Sequence, residues 1–314
     1  MATVETVQGP VDTADLGVTL MHEHVFVLSE GVRQNFPSVW DEEAQVRAAV
    51  ERLRALASRG VRTMVDLTVL GLGRDVPLVQ RVASQVDLNI IVATGLYTYD
   101  ELPRYFQTRD ADHMAELFVR DIREGVQGTG VKAAILKCAT DEPGVTPGVE
   151  KVLRAVARAH RQTGVPISTH THAASRQGLR QQEIFEQEGV DLRRVVIGHS
   201  GDTEDIDYLV TLAERGSYLG MDRFGIDRFL PTDRRVAVIA RLCELGYADR
   251  MVLSHDASCY IDWYQPELIR QYVPNWHYTH ISDDVLPALR RAGVTEEQIH
   301  AMLVENPRRI FEGR

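Results

Sequence analysis

The sequence predicts a (β/α)8 barrel, the TIM-barrel architecture. Three observations carry this. Eight short apolar, β-prone runs alternate with amphipathic helical stretches almost to the end of the chain. Most of those runs are apolar along their whole length, as parallel strands covered on both faces are. Five of them end in histidine, lysine or aspartate, in TLMHEH, AAILK, PISTH, VVIGH and MVLSHD. In a barrel the strand ends converge on one mouth, where the active site lies. Eight alternations in about 250 residues favour a closed barrel over a doubly wound sheet.

The strands read at 17–22, 62–67, 88–94, 131–137, 165–170, 194–199, 217–222 and 250–256. Helices fill the gaps. Over 41–59, Val46, Ala49, Val50, Leu53 and Leu56 recur at helical spacing, and over 148–163 Val149, Val152, Leu153 and Val156 do the same. Further helices are expected near 111–125, 176–188, 203–215, 233–246, 284–292 and 296–304. Asp41 and Thr146 are suited to start helices, with Pro147 at a favourable first position. Gly60, Gly164, Gly189 and Gly246 fall where helices should stop. GLGRD at 71–75 lacks the GxGxxG spacing of a dinucleotide fingerprint and reads as a loop between strand and helix. With no linker or low-complexity tract, the chain reads as one domain over 1–314.

The 314 residues can bury a large core, and 44% hydrophobic with 25% charged residues is ordinary for a globular protein. A net charge of −10 without a basic stripe argues against a nucleic-acid partner. The opening MATVETVQGP has neither the charged nor the apolar region of a signal peptide. No apolar run approaches the ~18–20 residues that span a bilayer. Three widely spaced cysteines, with no CxxC pair, predict neither a disulfide framework nor a zinc ribbon. These features together predict a cytoplasmic protein with no membrane partner.

The chemistry lies at the strand ends. His22 and His24, two apart on a strand, face one side, the barrel interior, and Glu23 faces outward. Two imidazoles so placed start a metal site. His170 and His199, on neighbouring strands, form a second pair. Asp256 ends the eighth strand and meets the first when the barrel closes. Lys137, on the fourth, faces inward between the pairs. A protonated amine there would repel metal. An amine whose pKa is lowered by desolvation can react with dissolved CO2 to give a carbamate, an anion with two oxygens that can bridge two cations. Two cations so bridged can hold a hydroxide between them, a nucleophile at neutral pH, with Asp256 relaying a proton. Histidine and carboxylate ligands suit zinc first, with cobalt, iron or manganese as alternatives.

At this point the motifs resemble a known family. GVTLMHEHVF at 17–26, VDLTVLGLGRD at 65–75, ATGLYTY at 93–99, ILKCATDEPG at 135–144, PISTHTHA at 166–173, VVIGHSGDT at 195–203, GMDRFG at 220–225 and MVLSHDA at 251–257 are similar to the phosphotriesterase-related members of the amidohydrolase superfamily, and most to the phosphotriesterase-like lactonases. The resemblance implies a barrel, often dimeric, with two divalent cations. It implies His22, His24 and Asp256 on the more buried metal and His170 and His199 on the more exposed one. Carboxylated Lys137 would bridge both.

The resemblance further implies Tyr97 beside the bridging hydroxide and the lactone, and Arg223 at the lactone ring or shaping the pocket. Aromatics on the long loop near 257–280 suit an apolar acyl chain, with Trp263 expected in the substrate pocket. Cys259 is expected near the mouth. His172, past its strand end, is expected outside the ligand set, and His255 should face away from the barrel axis.

The implied activity is hydrolysis of lactones, N-acyl-homoserine lactones of bacterial quorum signalling first, with weak phosphotriesterase activity on substrates such as paraoxon. The alternatives are a dedicated organophosphate hydrolase and an amide or ester hydrolase on the same scaffold. A catalytically silent barrel acting as a binding protein would have lost ligands, and every ligand type is present.

Overall fold

Residues 2–313 are described by a computed structural model. A short antiparallel hairpin, β1 (Thr3–Thr6) and β2 (Gly9–Asp12), opens the chain. Nine parallel strands follow: β3 (Val18–Val27), β4 (Val61–Asp66), β5 (Asn89–Gly95), β6 (Ile135–Thr140), β7 (Ile167–Thr171), β8 (Val195–Ile197), β9 (Tyr218–Met221), β10 (Met251–Leu253) and β11 (Ser258–Ile261). Each pairs with the next from β3 to β10. β11 then pairs with β3, Ser258 opposite His24 and Tyr260 opposite Phe26. Thus 251–261 is one eighth strand, broken in its middle, and it closes the barrel. At the break His22 O accepts the Asp256 N–H at 3.0 Å, and His24 N–H donates to Ala257 O at 2.9 Å.

Inside the barrel Val65, Ile91, Ile135, Val196, Tyr218 and Val252 fill the space below the mouth. Outside, helices pack their apolar faces on the strands. Glu42–Ala57 buries the five residues its spacing predicts, Val46, Ala49, Val50, Leu53 and Leu56. Full burial of such a side chain contributes about 1.5–3 kcal/mol, and Leu53→Ala would cost about 2–5 kcal/mol. Asp41 caps this helix by accepting Ala44 N–H at 3.0 Å. Thr146 caps Pro147–Thr163, and Gly164 ends it at φ 76°. That left-handed conformation costs glycine nothing.

Several boundaries differ from the sequence reading. β3 runs five residues past 22, because β11 supplies it with a ladder partner. β6 begins at Ile135 rather than 131; the stretch before it turns back, with Val131 O accepting Val126 N–H. Helix Val76–Ala83, capped by Asp75, was not foreseen. Its eight residues are rich in valine and give too short a window for helical periodicity to stand out. The opening hairpin was also missed; it docks where Val7 N–H donates to Ile90 O. Among the described residues no helix is long and apolar enough to cross a membrane.

Candidate metal centre

The barrel brings the six expected ligand residues to one point. Lys137 Nζ lies 3.0 Å from His22 Nε2. Asp256 Oδ1 lies 3.3 Å from His22 Nε2 and 3.1 Å from His24 Nε2. His199 Nε2 lies 2.9 Å from His170 Nδ1 and 3.9 Å from Asp256 Oδ2. His22, His199 and Asp256 each offer a ligand atom within 4.8 Å of the others. His199 and Asp256 stand just past β8 and β10 with φ of 58° and 56°. Left-handed backbone at such residues costs about 1–2 kcal/mol, and it turns both side chains into the mouth.

The outward nitrogens of the four rings decide what the inward ones are. His22 Nδ1 donates to Asp222 Oδ2 at 2.7 Å and His199 Nδ1 to Asp222 Oδ1 at 2.9 Å. His170 Nε2 donates to Asp141 Oδ2 at 2.5 Å. His24 Nδ1 donates to Thr68 Oγ1 at 2.9 Å, whose own proton goes to Asp66. A carboxylate only accepts, so the proton of each ring sits on the outer nitrogen and a lone pair points inward. The result is acceptor facing acceptor: His199 against His170 at 2.9 Å, and His24 against Asp256 Oδ1 at 3.1 Å. Such an array is stable only around positive charge, and outer carboxylates on ligand histidines are typical of metal sites. The residues present therefore fit divalent metal.

Electrostatics agree. Burial lowers the pKa of His22, and Lys137 adds to this. Burial also lowers His199, well below its ordinary value, and takes His170 down to about 4. All three rings are thus neutral at pH 7 and able to accept a cation. Burial opposes ionisation of Asp256, but the Arg223 guanidinium beside it favours the carboxylate and helps hold it well below the usual range. Burial brings Lys137 down to about 8, from an ordinary value of 10.5.

Above the cluster opens a cavity of about 680 Å3. Tyr97 lines it, its hydroxyl contacting that of Tyr99 and lying 3.3 Å from His170 Nδ1. Burial raises its pKa well above the usual value, so the phenol stays protonated. Trp263 lines it too, its ring 6.4 Å from that of Tyr97. Arg223 is held by two carboxylates, Nε to Asp256 Oδ2 at 3.2 Å and Nη1 to Asp202 Oδ2 at 2.8 Å. His172 sits at the rim, its Nδ1 on Ser175 Oγ. Cys259 is not near the mouth: it faces outward from β11, buried against Tyr278 and Ala49 of the first long helix. Alternation along β11 puts Ser258 on the cavity side instead.

Sequence reasoning missed Asp222, Asp141, Thr68 and Asp202, which hold the expected ligands and Arg223. It also missed the work of Glu23. This residue faces outward as expected, fully buried, and accepts His255 N–H at 2.9 Å, His255 Nδ1 at 2.8 Å and Ala257 N–H at 2.9 Å. It thereby fixes the backbone on both sides of Asp256. His255 faces away from the barrel axis, its Nε2 accepting Ile281 N–H at 2.9 Å. The available signal was position: Asp222 and Asp141 each directly follow a strand.

Comparison with known proteins gives a consistent set of likenesses. The sequence profile described as the Phosphotriesterase family matches residues 2–311. The Phosphotriesterase homology protein of Mycobacterium tuberculosis is 60% identical over 320 aligned positions, covering 99% of this chain and 98% of that one. A protein of Saccharolobus solfataricus named Aryldialkylphosphatase is 46% identical, covering 96% of each. The solved structure of the phosphotriesterase from Mycobacterium tuberculosis superposes with a TM-score of 0.97 at 60% identity, covering 99% of this chain and 98% of that one.

Proposed function

The chain belongs to the phosphotriesterase family of metal-dependent hydrolases, and from that premise we propose that it is a binuclear lactonase acting on N-acyl-homoserine lactones, with weak phosphotriesterase activity. In this reading His22, His24 and Asp256 hold one divalent metal, His170 and His199 the other, and carboxylated Lys137 both. Zinc suits this donor set first, with cobalt, iron or manganese as alternatives. When bound, such metals supply a water that ionises near pH 7 and Lewis acidity at an acyl oxygen.

The chain's own residues do the rest. Asp256, ionised and steadied by Arg223 at Oδ2, accepts the proton released as water adds to the lactone carbonyl. It returns that proton to the ring oxygen as the acyl–oxygen bond breaks, so lactone and water become a hydroxy acid. Tyr97, protonated at neutral pH, donates a hydrogen bond to the substrate's polar ring. Arg223 keeps Asp256 aimed and adds positive charge where negative charge develops.

The observation that carries the lactonase reading is the two-faced cavity. Its lining combines the ligand-type cluster with the apolar side chains of Ile226, Phe229, Leu268, Ile269, Tyr272 and Val273 from the segments after β9 and β11. A polar ring with an aliphatic tail matches that division. Acyl-homoserine lactones of rising chain length test it. Each buried CH2 contributes about 0.8 kcal/mol, so kcat/KM should rise up to about fourfold per carbon until the wall is covered. No lactone opening at any length would overturn the reading. The second reading, a dedicated organophosphate hydrolase, is favoured by the Saccharolobus relative's name. The proposal includes a homodimer, which light scattering on the purified protein would read.

A further inference from the structure

Asp222 serves both halves of the ligand cluster at once. It follows the last residue of β9 and is 1% exposed. Its Oδ2 takes the Nδ1 proton of His22, and its Oδ1 takes the Nδ1 proton of His199. Oδ1 also accepts the backbone N–H of His199 at 2.8 Å, on the residue whose φ is 58°. The two imidazoles it holds stack with centroids 4.9 Å apart. The barrel makes room for this carboxylate with two glycines. A Cβ on Gly220 would lie 2.6 Å from Asp222 Oδ2, and one on Gly198 3.2 Å from it and 1.9 Å from Thr169 O.

The other outer partners act on one ring each: Asp141 on His170, and Thr68 on His24. Asp222 alone among them joins the first pair of histidines to the second. We propose that Asp222 is a positioning residue that couples the two metal sites, so that they load and empty together. The inference rests on the binuclear reading above. Its physical basis is one acceptor shared by two rings. A cation at His22 Nε2 would strengthen the Nδ1 hydrogen bond to Asp222, and that bond fixes the carboxylate in the orientation that presents His199 to the second site. A ring that shifts when its metal leaves takes with it the carboxylate that aims the other ring.

The test is metal binding by the full-length protein, with zinc as probe and a competing chelator as reference. Outer-shell substitutions typically cost about 10–100-fold in metal affinity. Asp222→Asn can accept from only one ring, so both zinc affinities should fall by about that factor. Asp141→Asn should weaken one zinc and leave a one-metal species during titration. In the unsubstituted protein, chelation should release both metals in a single kinetic phase, and Asp222→Asn should split it in two although Lys137 is unchanged. Asp222→Glu, which keeps the charge but displaces it, gives the same reading if Asp222→Asn does not fold.

Asp222→Asn weakening one site alone, or two release phases in the unsubstituted protein, would overturn the coupling while leaving a binuclear enzyme. Fewer than two zinc ions in the unsubstituted protein would overturn the coupling and the binuclear reading together.

Discussion

Replacing Glu23 by Gln tests how the barrel seam aims Asp256. The glutamate accepts three N–H groups, two from His255 and one from Ala257. His255 Nε2 accepts from Ile281, so the proton on Nδ1 is committed to residue 23. A glutamine oxygen can keep both His255 bonds, but its amide then faces the Ala257 N–H, donor against donor. A buried unsatisfied donor costs about 1–3 kcal/mol, and the remaining bonds lose their charged acceptor, for about 2–4 kcal/mol in all. With an unfolding entropy of about 2.1 cal/mol/K per residue, that lowers the Tm by about 3–6 °C. The loss should appear in metal-free protein too, because the seam is built of backbone and buried side chains.

Freed from its clamp, Asp256 relaxes from its left-handed backbone. A displacement of about 1 Å can cost about 100-fold in rate, so kcat should fall about 10–100-fold with KM little changed. The assay is calorimetry with and without metal, beside lactonase kinetics. A variant with unchanged Tm and full kcat would refute the clamp.

Three further outcomes are expected. Lys137→Ala should hold fewer than two metals by elemental analysis and lose at least about 100-fold in activity; two metals with full turnover would refute the carbamate bridge. Loading of metal-free protein at fixed dissolved CO2 should quicken about fifteenfold from pH 6.5 to 8, because only neutral Lys137 reacts and its pKa is about 8. Above pH 8 the rate should level off. His170, at about 4, and His199, held well below its ordinary value, are already neutral across that window, so a flat profile would point away from the lysine. Asp256→Asn should keep its fold but lose about 100–10,000-fold in kcat, the range of a removed general acid–base, measured on protein shown to hold two metals.

The strand-end cluster was legible in the sequence because ligand-type residues closing five separate apolar runs are a rare combination, although any one of them alone has an ordinary structural use. The helix faces were equally readable, since Val46 through Leu56 repeat at helical spacing over about three turns. What stayed hidden depends on closure. Nothing in VLSHDASC says that the strand breaks at Ser254 and resumes at Ser258, because the break is set by the Glu23 clamp from another strand. Nothing in GMD distinguishes a helix cap from a carboxylate shared by two histidines 200 and 23 residues away. Cys259 was misjudged because alternation along β11 starts only after the break. The short helix Val76–Ala83 was masked by its own composition.

The central claim is a lactonase built on a binuclear site, and one preparation tests it most directly. Metal content is measured first. The same sample then hydrolyses a long-chain acyl-homoserine lactone and paraoxon, each followed to kcat/KM. The account predicts two metals per chain and a lactone kcat/KM at least about 100-fold above that for paraoxon, a preference worth about 2.7 kcal/mol in transition-state stabilisation. Two metals with paraoxon ahead would contradict the lactonase and make the protein an organophosphate hydrolase.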